Sequence, residues 1–588
     1  MAQQLNLALN TAPKTTPAVL LVPPWKTPRR LCPPPPQGNP VPEVDAAMVG
    51  ALTDWHQWPA ARRWLKARPT QAASAILGTL STASAEARRG GLAVLRQLPA
   101  GVRSEAAQQH GVGMVAWLTA WEALPKPGRP RRAPRLPSGW DISRLVIPRL
   151  RDGGVLSREA LETLLLLLSI SPPLHPHPGL TSVRDACTPR SLDAFSWSLV
   201  QLWEAAGARP QHDWALWASM LLGGPRCVRG LAARASRWAQ QGAPDRALRV
   251  PTVLWGLGTP MAVMYLHHLA LRSPSMVLRR GAHAALTDLA AARGVPLARL
   301  LAVQTPWLGF SASRDRTLTV SGRRIVLRVE AVDEPAESVL VLQTQGLMAL
   351  AAGNSRDQLE SDLGVMEQVK RAQLEHMMCT GQRWSPETFA ALSAHPLCRP
   401  LLERVAWCVY DTHGRILGRA HPGQRVVPTR PQQGLWIGVP HPLELEKRVR
   451  QAWLATLPGT LFPQLCRPVF TLAERERGAI ALDRYQGAEV EVGWLFARLR
   501  WGWSWHPVSR GGVLRGIQFP VPGEPGVVAA IQLLPGIRRG KVKTQRLGRV
   551  TIRRGTQDVT LGSLSPLGFS ELVYAVDSLV ATAVSDRC

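Results

Sequence analysis

The sequence predicts an α+β multidomain chain, with a mainly helical, HEAT- or armadillo-like N-terminal half and a mixed α+β C-terminal domain. Three observations lead there. The 588 residues suffice for several cores at roughly 100–200 residues per domain. Up to about residue 305, apolar residues recur at three- and four-residue spacing between Gly and Pro breaks, as in short amphipathic helices. Beyond that point, period-two runs around turn residues alternate with helical stretches, as in strands mixed with helices.

Residues 1–45 are Pro-rich, with Pro33, Pro34, Pro35 and Pro36 in succession, so a disordered tail is expected where neither helix nor central strand can persist. A helical region follows over 46–124, and the Pro/Arg segment 125–139 reads as a linker. Residues 140–305 read as helical, HEAT-like repeats, most clearly in the pair 260–271 and 274–293. Thr259-Pro260 supplies a cap and a first helical residue. Ser273 and Pro274 are expected to do the same for the second helix. Leu278, Ala282, Ala285, Leu286 and Leu289 share one face of it, and Gly294 can end it in a left-handed conformation. Two amphipathic helices joined by a tight turn form the unit of helical-repeat stacking. The uncharged run 250–271 contains Pro251, Gly256, Gly258, Pro260, His267 and His268, which favours two packed helices over a membrane span.

Residues 306–355 form a β-hairpin region, because Leu318, Val320, Ile325, Leu327 and Val329 alternate around Ser321-Gly322, with Val339, Val341 and Gln343 following. Residues 356–588 make the α+β domain. Ser355 with Gln358 resembles a capping box opening a helix to about 378, striped by Leu359, Leu363, Met366 and Met377. Ser385-Pro386 starts another helix and 397–407 a third. Strands are expected at 407–410, 416–417 and 435–439, with a turn over 411–414. Helices follow at 443–457 and from Thr471, whose partner Glu474 completes a capping pattern. Strand runs at 527–534 and 541–553 precede a closing helix over 569–583.

The charge is strongly basic, with 70 Lys and Arg against 41 Asp and Glu and a net charge of +29. Only 8 of the basic residues are Lys, so part of the surplus reflects an Arg-rich composition, yet it still attracts acidic partners or nucleic acid. The eight Cys form no CxxC pair, which argues against a zinc ribbon or a disulfide scaffold. No charged n-region leads into an apolar h-region, and a cytoplasmic location is expected. The sequence Gly536-Ile537-Arg538-Arg539-Gly540-Lys541 is one residue short of a P-loop, and Val542 stands where Ser or Thr is needed. Gly256 and Gly258 lack the rest of a dinucleotide fingerprint, and no G-x-S-x-G elbow occurs. No cofactor and no metal site is expected.

Several strings occur in a recognisable order. They are Gln373-Leu374-Glu375 with Met377, Arg383-Trp384-Ser385-Pro386-Glu387 with Phe389, and His395-Pro396-Leu397 leading to Arg404 and Trp407. After them come Gly438-Val439, His441-Pro442-Leu443-Glu444-Leu445, Trp453, Phe462-Pro463-Gln464-Leu465 and Phe569-Ser570-Glu571. Over about residues 275–585 the chain resembles the bacterial family catalogued as domain of unknown function 4132, whose members include proteins named molybdate metabolism regulator. The resemblance implies helical repeats ahead of a C-terminal domain of unassigned chemistry, often beside a WGR module. Here Trp501-Gly502 is followed by Trp503, so that module is not expected, nor does the family label imply molybdate binding.

His395, His441 and Glu444 are the candidate catalytic residues, since an imidazole held near neutral pKa can act as a general base. Each His-Pro can equally cap one element and open the next. The segment 498–554 holds twelve basic residues and one acid, Glu524. Its candidate nucleic-acid contacts are Arg498, Arg500, Trp501, Trp503, Arg538, Arg539, Lys541, Lys543 and Arg546, with Arg for phosphates and Trp for base stacking. Trp at period two also fits a buried strand. The reading is a non-enzymatic regulatory or scaffold protein that binds partner proteins through its helical face. One alternative is nucleic-acid binding through 498–554, and a second is an enzyme of unrecognised type built on His395, His441 and Glu444.

Overall fold

The computed structural model describes residues 16–21, 37–52, 54, 56–122, 135–171, 173–174, 176–320, 323–331, 340–344, 349–420, 434–456, 464–498, 503–506, 513–538 and 543–585. The prolines at 33–36, most of the expected linker and the Ser321-Gly322 turn lie outside these residues. Contacts divide the chain into two units, Met1–Leu266 with Arg280–Leu297, and His267–Arg279 with Ala298–Cys588. The regions 46–124 and 140–266 lie within the first of these units.

The first unit opens with α1 (Ala18–Leu21), α2 (Glu43–Ala51), α3 (Trp58–Ala67), α4 (Pro69–Thr79), α5 (Ala85–Leu95), α6 (Ala100–Gln109) and α7 (Val112–Glu122). After residue 135 come α8 (Arg158–Ser169), α9 (Pro178–Ala186), α10 (Pro189–Ala205), α11 (Trp214–Trp217), α12 (Ser219–Leu222), α13 (Pro225–Gln240) and α14 (Pro244–Leu257). Helices α15 (Pro260–Arg272) and α16 (Met276–Arg293) cross the division between the units.

Proline opens and glycine closes many of these helices. Pro178, Pro189, Pro225, Pro244 and Pro260 are the first residues of α9, α10, α13, α14 and α15, where a missing N–H breaks no helical bond. Gly207, Gly242, Gly258 and Gly294 follow α10, α13, α14 and α16 with φ of 88°, 79°, 56° and 65°, the left-handed ending that glycine adopts without strain. The uncharged run 250–271 is broken by Gly258 as expected, and Thr259 Oγ1 accepts from the Ala262 amide at 3.2 Å. Among the described residues no helix is long and apolar enough to cross a membrane. The predicted face of α16, from Leu278 to Leu289, is buried. Its cap is Ser275, whose Oγ accepts from the Leu278 amide at 3.4 Å. Ser273 instead accepts from the Ser275 amide, which places Pro274 ahead of the helix.

Helix α13 begins after Gly224, which has no side chain to cap it, and a carboxylate from α10 does so instead. Buried Asp193 accepts from the amides of Gly224 (2.8 Å), Arg226 (2.8 Å) and Cys227 (3.0 Å). A Cβ at Gly224 would lie 2.9 Å from the Asp193 carboxyl carbon, so glycine is needed there for close approach. Helix lengths in this unit run from four residues in α11 to seventeen in α10.

After α16 come α17 (Leu297–Val303), nearly all of it in the second unit, and an antiparallel sheet of β1 (Asp315–Val320), β2 (Arg323–Ala331) and β3 (Leu340–Thr344), in that order. Buried Ile325, Leu327 and Val329 on alternate positions of β2 explain the period-two signal. Helix α18 (Ala349–Thr380) starts before Ser355, so Ser355 and Gln358 lie within it and do not open it. The stripe of Leu359, Leu363, Met366 and Met377 is core. Helix α19 (Pro386–Ala394) starts as predicted, with Ser385 Oγ accepting from the Thr388 amide at 3.3 Å. The expected helix over 397–407 shrinks to α20 (Arg399–Leu402), because Trp407 already belongs to a strand.

A second sheet of β4 (Trp407–Tyr410), β5 (Ile416–Ala420) and β6 (Trp436–Gly438) has the order β5-β4-β6. Asp411 Oδ1 accepts from the amides of His413 and Arg415 to shape the β4–β5 turn, and Gly414 takes φ of 82°. Helix α21 (Lys447–Thr456) follows, but Thr471 opens no helix, and only a single 3-10 turn forms at Glu474–Glu476. The last sheet contains β7 (Glu489–Glu491), β8 (Ser504–Trp505), β9 (Leu514–Pro520), β10 (Val527–Ile537), β11 (Thr544–Arg554) and β12 (Gln557–Asp558). Its order is β12-β11-β10-β9-β8, with β7 also paired to β11. Helices α22 (Val492–Arg498) and α23 (Pro566–Ser585) accompany it. Phe569, Leu572, Val573, Val576 and Leu579 of α23 pack with Ile517, Phe519, Ile531, Val550 and Ile552 of the sheet, a helical stripe laid on one face of a pleated surface.

Replacing Asp193 by Ala should leave three amides at the start of α13 without their acceptor, at a cost of about 1–3 kcal/mol for each buried group left unsatisfied. Urea melts followed by Trp fluorescence are expected to show an earlier transition, and an unchanged midpoint would contradict the capping role.

Candidate functional site

The sequence His441-Pro442-Leu443-Glu444 forms a one-turn 3-10 helix with a reciprocal cap. His441 Nδ1 accepts from the Leu443 amide at 3.1 Å, while Glu444 Oε2 accepts from the His441 amide at 2.9 Å. An acceptor role at Nδ1 puts the ring proton on Nε2. That Nε2 lies 3.1 Å from Glu571 Oε1 and donates to it. His441 is fully buried and Glu571 is 2% exposed, so the pair is closed off from solvent.

Glu571 is held from the other side by Arg467. The guanidinium donates through Nε to Oε1 at 3.0 Å and through Nη2 to Oε2 at 2.5 Å, and its Nη1 reaches Glu375 Oε1 at 2.8 Å. Glu571 and Tyr574 lie one turn apart on α23, and the Tyr574 ring sits 4.1 Å from the Arg467 guanidinium carbon, as a cation over an aromatic face. Burial raises the Glu571 pKa, but hydrogen bonds from His441 and Arg467 outweigh it and bring it down to about 2. Burial and the Glu571 charge push the neighbouring Cys379 thiol well above its ordinary value, so it is no ready nucleophile.

Glu444 carries the network outward. Its Oε2 also accepts from Tyr410 Oη at 3.2 Å, its Oε1 faces Arg383 Nη2 at 3.5 Å, and Arg383 lies 3.7 Å over the Tyr410 ring. Burial, followed by the Glu444 charge, raises the Tyr410 pKa. Gln464, wholly buried, accepts from the Ala406 amide and donates to the carbonyls of Ala406 and Pro440. It thereby ties the segment leading into β4 to the residue ahead of His441.

Two of the three candidate catalytic residues, His441 and Glu444, are thus brought together, and the third is not. His395 caps its own turn, Nδ1 accepting from the amides of Leu397 (3.2 Å) and Cys398 (3.3 Å). Its ring lies against Trp307 at 5.2 Å. Burial, helped by the Lys370 charge, lowers its pKa to about 4. Lys370 itself is buried and donates to the carbonyls of Leu301 (3.0 Å) and Ala302 (3.2 Å) and to Gln373 Oε1 (3.1 Å). All three ammonium protons are therefore placed, and the lysine closes the C-terminal end of α17. Burial lowers its pKa.

Of the candidate nucleic-acid contacts, Arg500, Trp501, Arg539 and Lys541 lie outside the described residues. Trp503 is 4% exposed and packs on Phe519 at 4.3 Å, so its ring serves the core and is not open to a base. Trp505 joins the same core, with Phe496 edge-on at 5.1 Å. Arg498 donates to the Ser578 carbonyl. Arg546 pairs with Glu489, as its neighbours Arg549 and Arg553 do with Asp483 and Asp558, all three acids lying outside the basic window. Arg538 and Lys543 are exposed. No group of three His, Cys, Asp or Glu among the described residues could hold a metal ion.

Sequence reasoning had named Glu375, Arg383, Gln464 and Glu571 only as parts of recognisable strings, and had missed Arg467, Cys379 and Tyr574. Comparison with known proteins supports the family resemblance over a narrower span. Residues 347–503 match the family described as Domain of unknown function (DUF4132). The chain is also 26% identical over 487 residues to the uncharacterized protein YehI of Escherichia coli (strain K12), a match covering 76% of this chain and 39% of that relative. The chain therefore spans well under half the length of the curated relative. No solved structure matches it.

Arg467→Met should strip the buried Glu571 of its bidentate partner and cost about 3–5 kcal/mol; a loss below 1 kcal/mol in denaturant melts would contradict it. The Glu571 pKa is about 2, below the ordinary carboxylate value of about 4. Its contribution to stability is thus fully present above that ordinary value and lost as pH falls toward 2. The unfolding free energy of the native chain should drop more steeply between pH 5 and pH 3 than that of Glu571→Gln, and parallel profiles would refute the assignment.

Proposed function

We propose that this chain is a non-enzymatic scaffold or regulatory component that docks partner proteins on the faces of its helical unit. The observation that carries this reading is the use made of His441. Both ring nitrogens are committed, one to an amide and one to a carboxylate, and the ring is fully buried. A general base needs a free lone pair within reach of a substrate proton, and this imidazole offers none. Glu444 is spent on a cap, a phenol and a guanidinium, and the Lys370 ammonium on three acceptors. Packed helices, by contrast, leave extended outer faces suited to protein contact.

Nucleic-acid binding through 498–554 is the alternative, supported by the exposed Arg515, Arg538, Lys543 and Arg554. The two readings part on salt. A phosphate-binding face loses affinity steeply as salt rises because counterions are released. The full chain, immobilised and exposed to a nuclease-treated bacterial lysate, is expected to retain a reproducible set of proteins. Fluorescence anisotropy with random duplex and single-stranded DNA is expected to show no salt-sensitive binding. Salt-sensitive binding that falls when Arg515, Arg538, Lys543 and Arg554 are changed together to Gln would favour the alternative.

A further inference from the structure

The first unit contains a cleft of about 400 Å³, a volume within the range of small-molecule sites. It is lined by Pro40 and Pro42, by Asp45 in the first turn of α2, by Thr70 and Ser74 of α4, and by Gln109 at the end of α6. The proline segment is fixed in place. The Asn39 amide donates to His110 Nδ1 at 2.9 Å, and Asn39 Nδ2 donates to the Gln109 carbonyl. Gly38 approaches Gly78 of α4 so closely that a Cβ on it would stand 2.6 Å from the Gly78 Cα. The cleft is therefore preformed, and a ligand need not order it.

Of the nine residues that line the cleft, Asp45 alone is ionisable, and it is 5% exposed. Its Oδ1 accepts from Trp64 Nε1 at 3.1 Å and its Oδ2 from Gln71 Nε2 at 2.7 Å. Both donors are neutral. Other buried carboxylates in the chain are met by a guanidinium or by helix amides, as Glu571 is by Arg467, Asp213 by Arg249 and Asp193 by the start of α13. Among the described residues no cation meets Asp45, since Arg68 reaches only the side-chain oxygen of Gln71, at 3.5 Å. The first turn of a helix favours a negative charge, but here it adds no hydrogen bond to either oxygen. A carboxylate has about four acceptor sites, so half of them are unused. A buried charge is costly until an opposite one meets it.

We propose that this cleft binds a small primary amine as its alkylammonium ion, the ammonium donating to Asp45 and the alkyl body lying against Pro40 and Pro42. A charge-assisted bond of this kind is stronger than a neutral one, and it supplies the cation that Asp45 lacks. Exposed Glu105, which accepts from Thr70 Oγ1 at 3.4 Å, adds negative charge beside the lining. In a chain of net charge +29 the only charge in the lining is thus an acid, which selects a cation over an anion. The site is independent of the protein-docking reading above.

The test is isothermal titration of the full chain with n-butylammonium chloride, which is expected to show saturable binding at one site. 1-Butanol, the same body without the charge, should not bind. Asp45→Asn keeps the shape and an acceptor for Trp64 and should weaken binding at least tenfold. Thr70→Trp fills the cleft, leaves Asp45 in place and should do the same. In chain carrying isotope-labelled tryptophan, the Trp64 indole signal, assigned through Trp64→Phe, should shift as the amine is added. No saturable binding to the native chain, equal binding of 1-butanol, or undiminished binding by Asp45→Asn overturns the proposal. Should the variants fail to fold, the native chain decides, because amine binding that leaves the Trp64 signal unmoved also overturns it. Tighter binding of Nα-acetyl-lysine methylamide than of butylammonium would assign the ammonium to a partner's lysine and overturn the free amine.

Discussion

The Arg467–Glu571 pair is the constraint to which the rest of the second unit is fitted. A carboxylate at 2% exposure survives only when its charge and lone pairs are met in place, since desolvating an ion costs several kcal/mol. Here the guanidinium fork meets both oxygens and the His441 ring meets one of them again. The fork needs its own orientation, and Glu375 from α18 and Tyr574 from α23 supply it. His441 needs its tautomer, which the 3-10 turn fixes through the Leu443 amide. The turn needs Glu444 as its cap, and Glu444 brings in Tyr410 of β4 and Arg383. Each polar group is thus satisfied by one that must itself be satisfied, and α18, β4, the 441–444 turn and α23 are joined in one chain of obligations.

The sequence made the local punctuation legible because its signals act within a few residues. Thr259-Pro260, Ser385-Pro386 and Gly294 did as their chemistry requires. Failures came where a local signal competed with a distant one. Ser355 and Gln358 have capping chemistry, yet the helix runs through them, since a favourable cap does not stop a helix that can continue. Thr471 with Glu474 matched a capping pattern, but only the 3-10 turn at Glu474–Glu476 follows. At residues 397–407 the apolar spacing suited a helix, but Trp407 to Tyr410 pair with β5 and β6 instead. Arg467 was invisible because nothing beside it in the chain marks a partner more than ninety residues away.

Five of the strings that carry the family resemblance converge on this network, while that of His395 lies apart from it. Glu375, Arg383, His441, Glu444, Gln464 and Glu571 belong to five separate strings, and their hydrogen bonds form the ladder just described or clamp the backbone beside it. Recognising them in order amounts to recognising how one fold is held together. A residue pattern can therefore be distinctive without marking a reaction centre. The matched family segment, 347–503, contains most of this network but not Glu571, so the carboxylate at its heart is contributed from beyond that segment.

The same distinction governs the basic surplus. A net charge of +29 suggests a cationic surface, but most of the basic residues are Arg, and a planar fork suits internal pairing as well as it suits phosphate. In this chain many forks are turned inward or paired sideways. Arg467 holds two carboxylates, Arg234 meets Glu204 and lies over Trp197, and Arg246 stands near the rings of Trp203 and Trp238. Tryptophan, the most abundant aromatic with 22 residues, supplies faces for these cations, so the two enrichments act together. Part of the Arg and Trp content that resembles a nucleic-acid signature in one dimension is thus used in cation–ring and ion-pair contacts within the fold. Among the described residues of 498–554, Arg515, Arg538, Lys543 and Arg554 stay exposed.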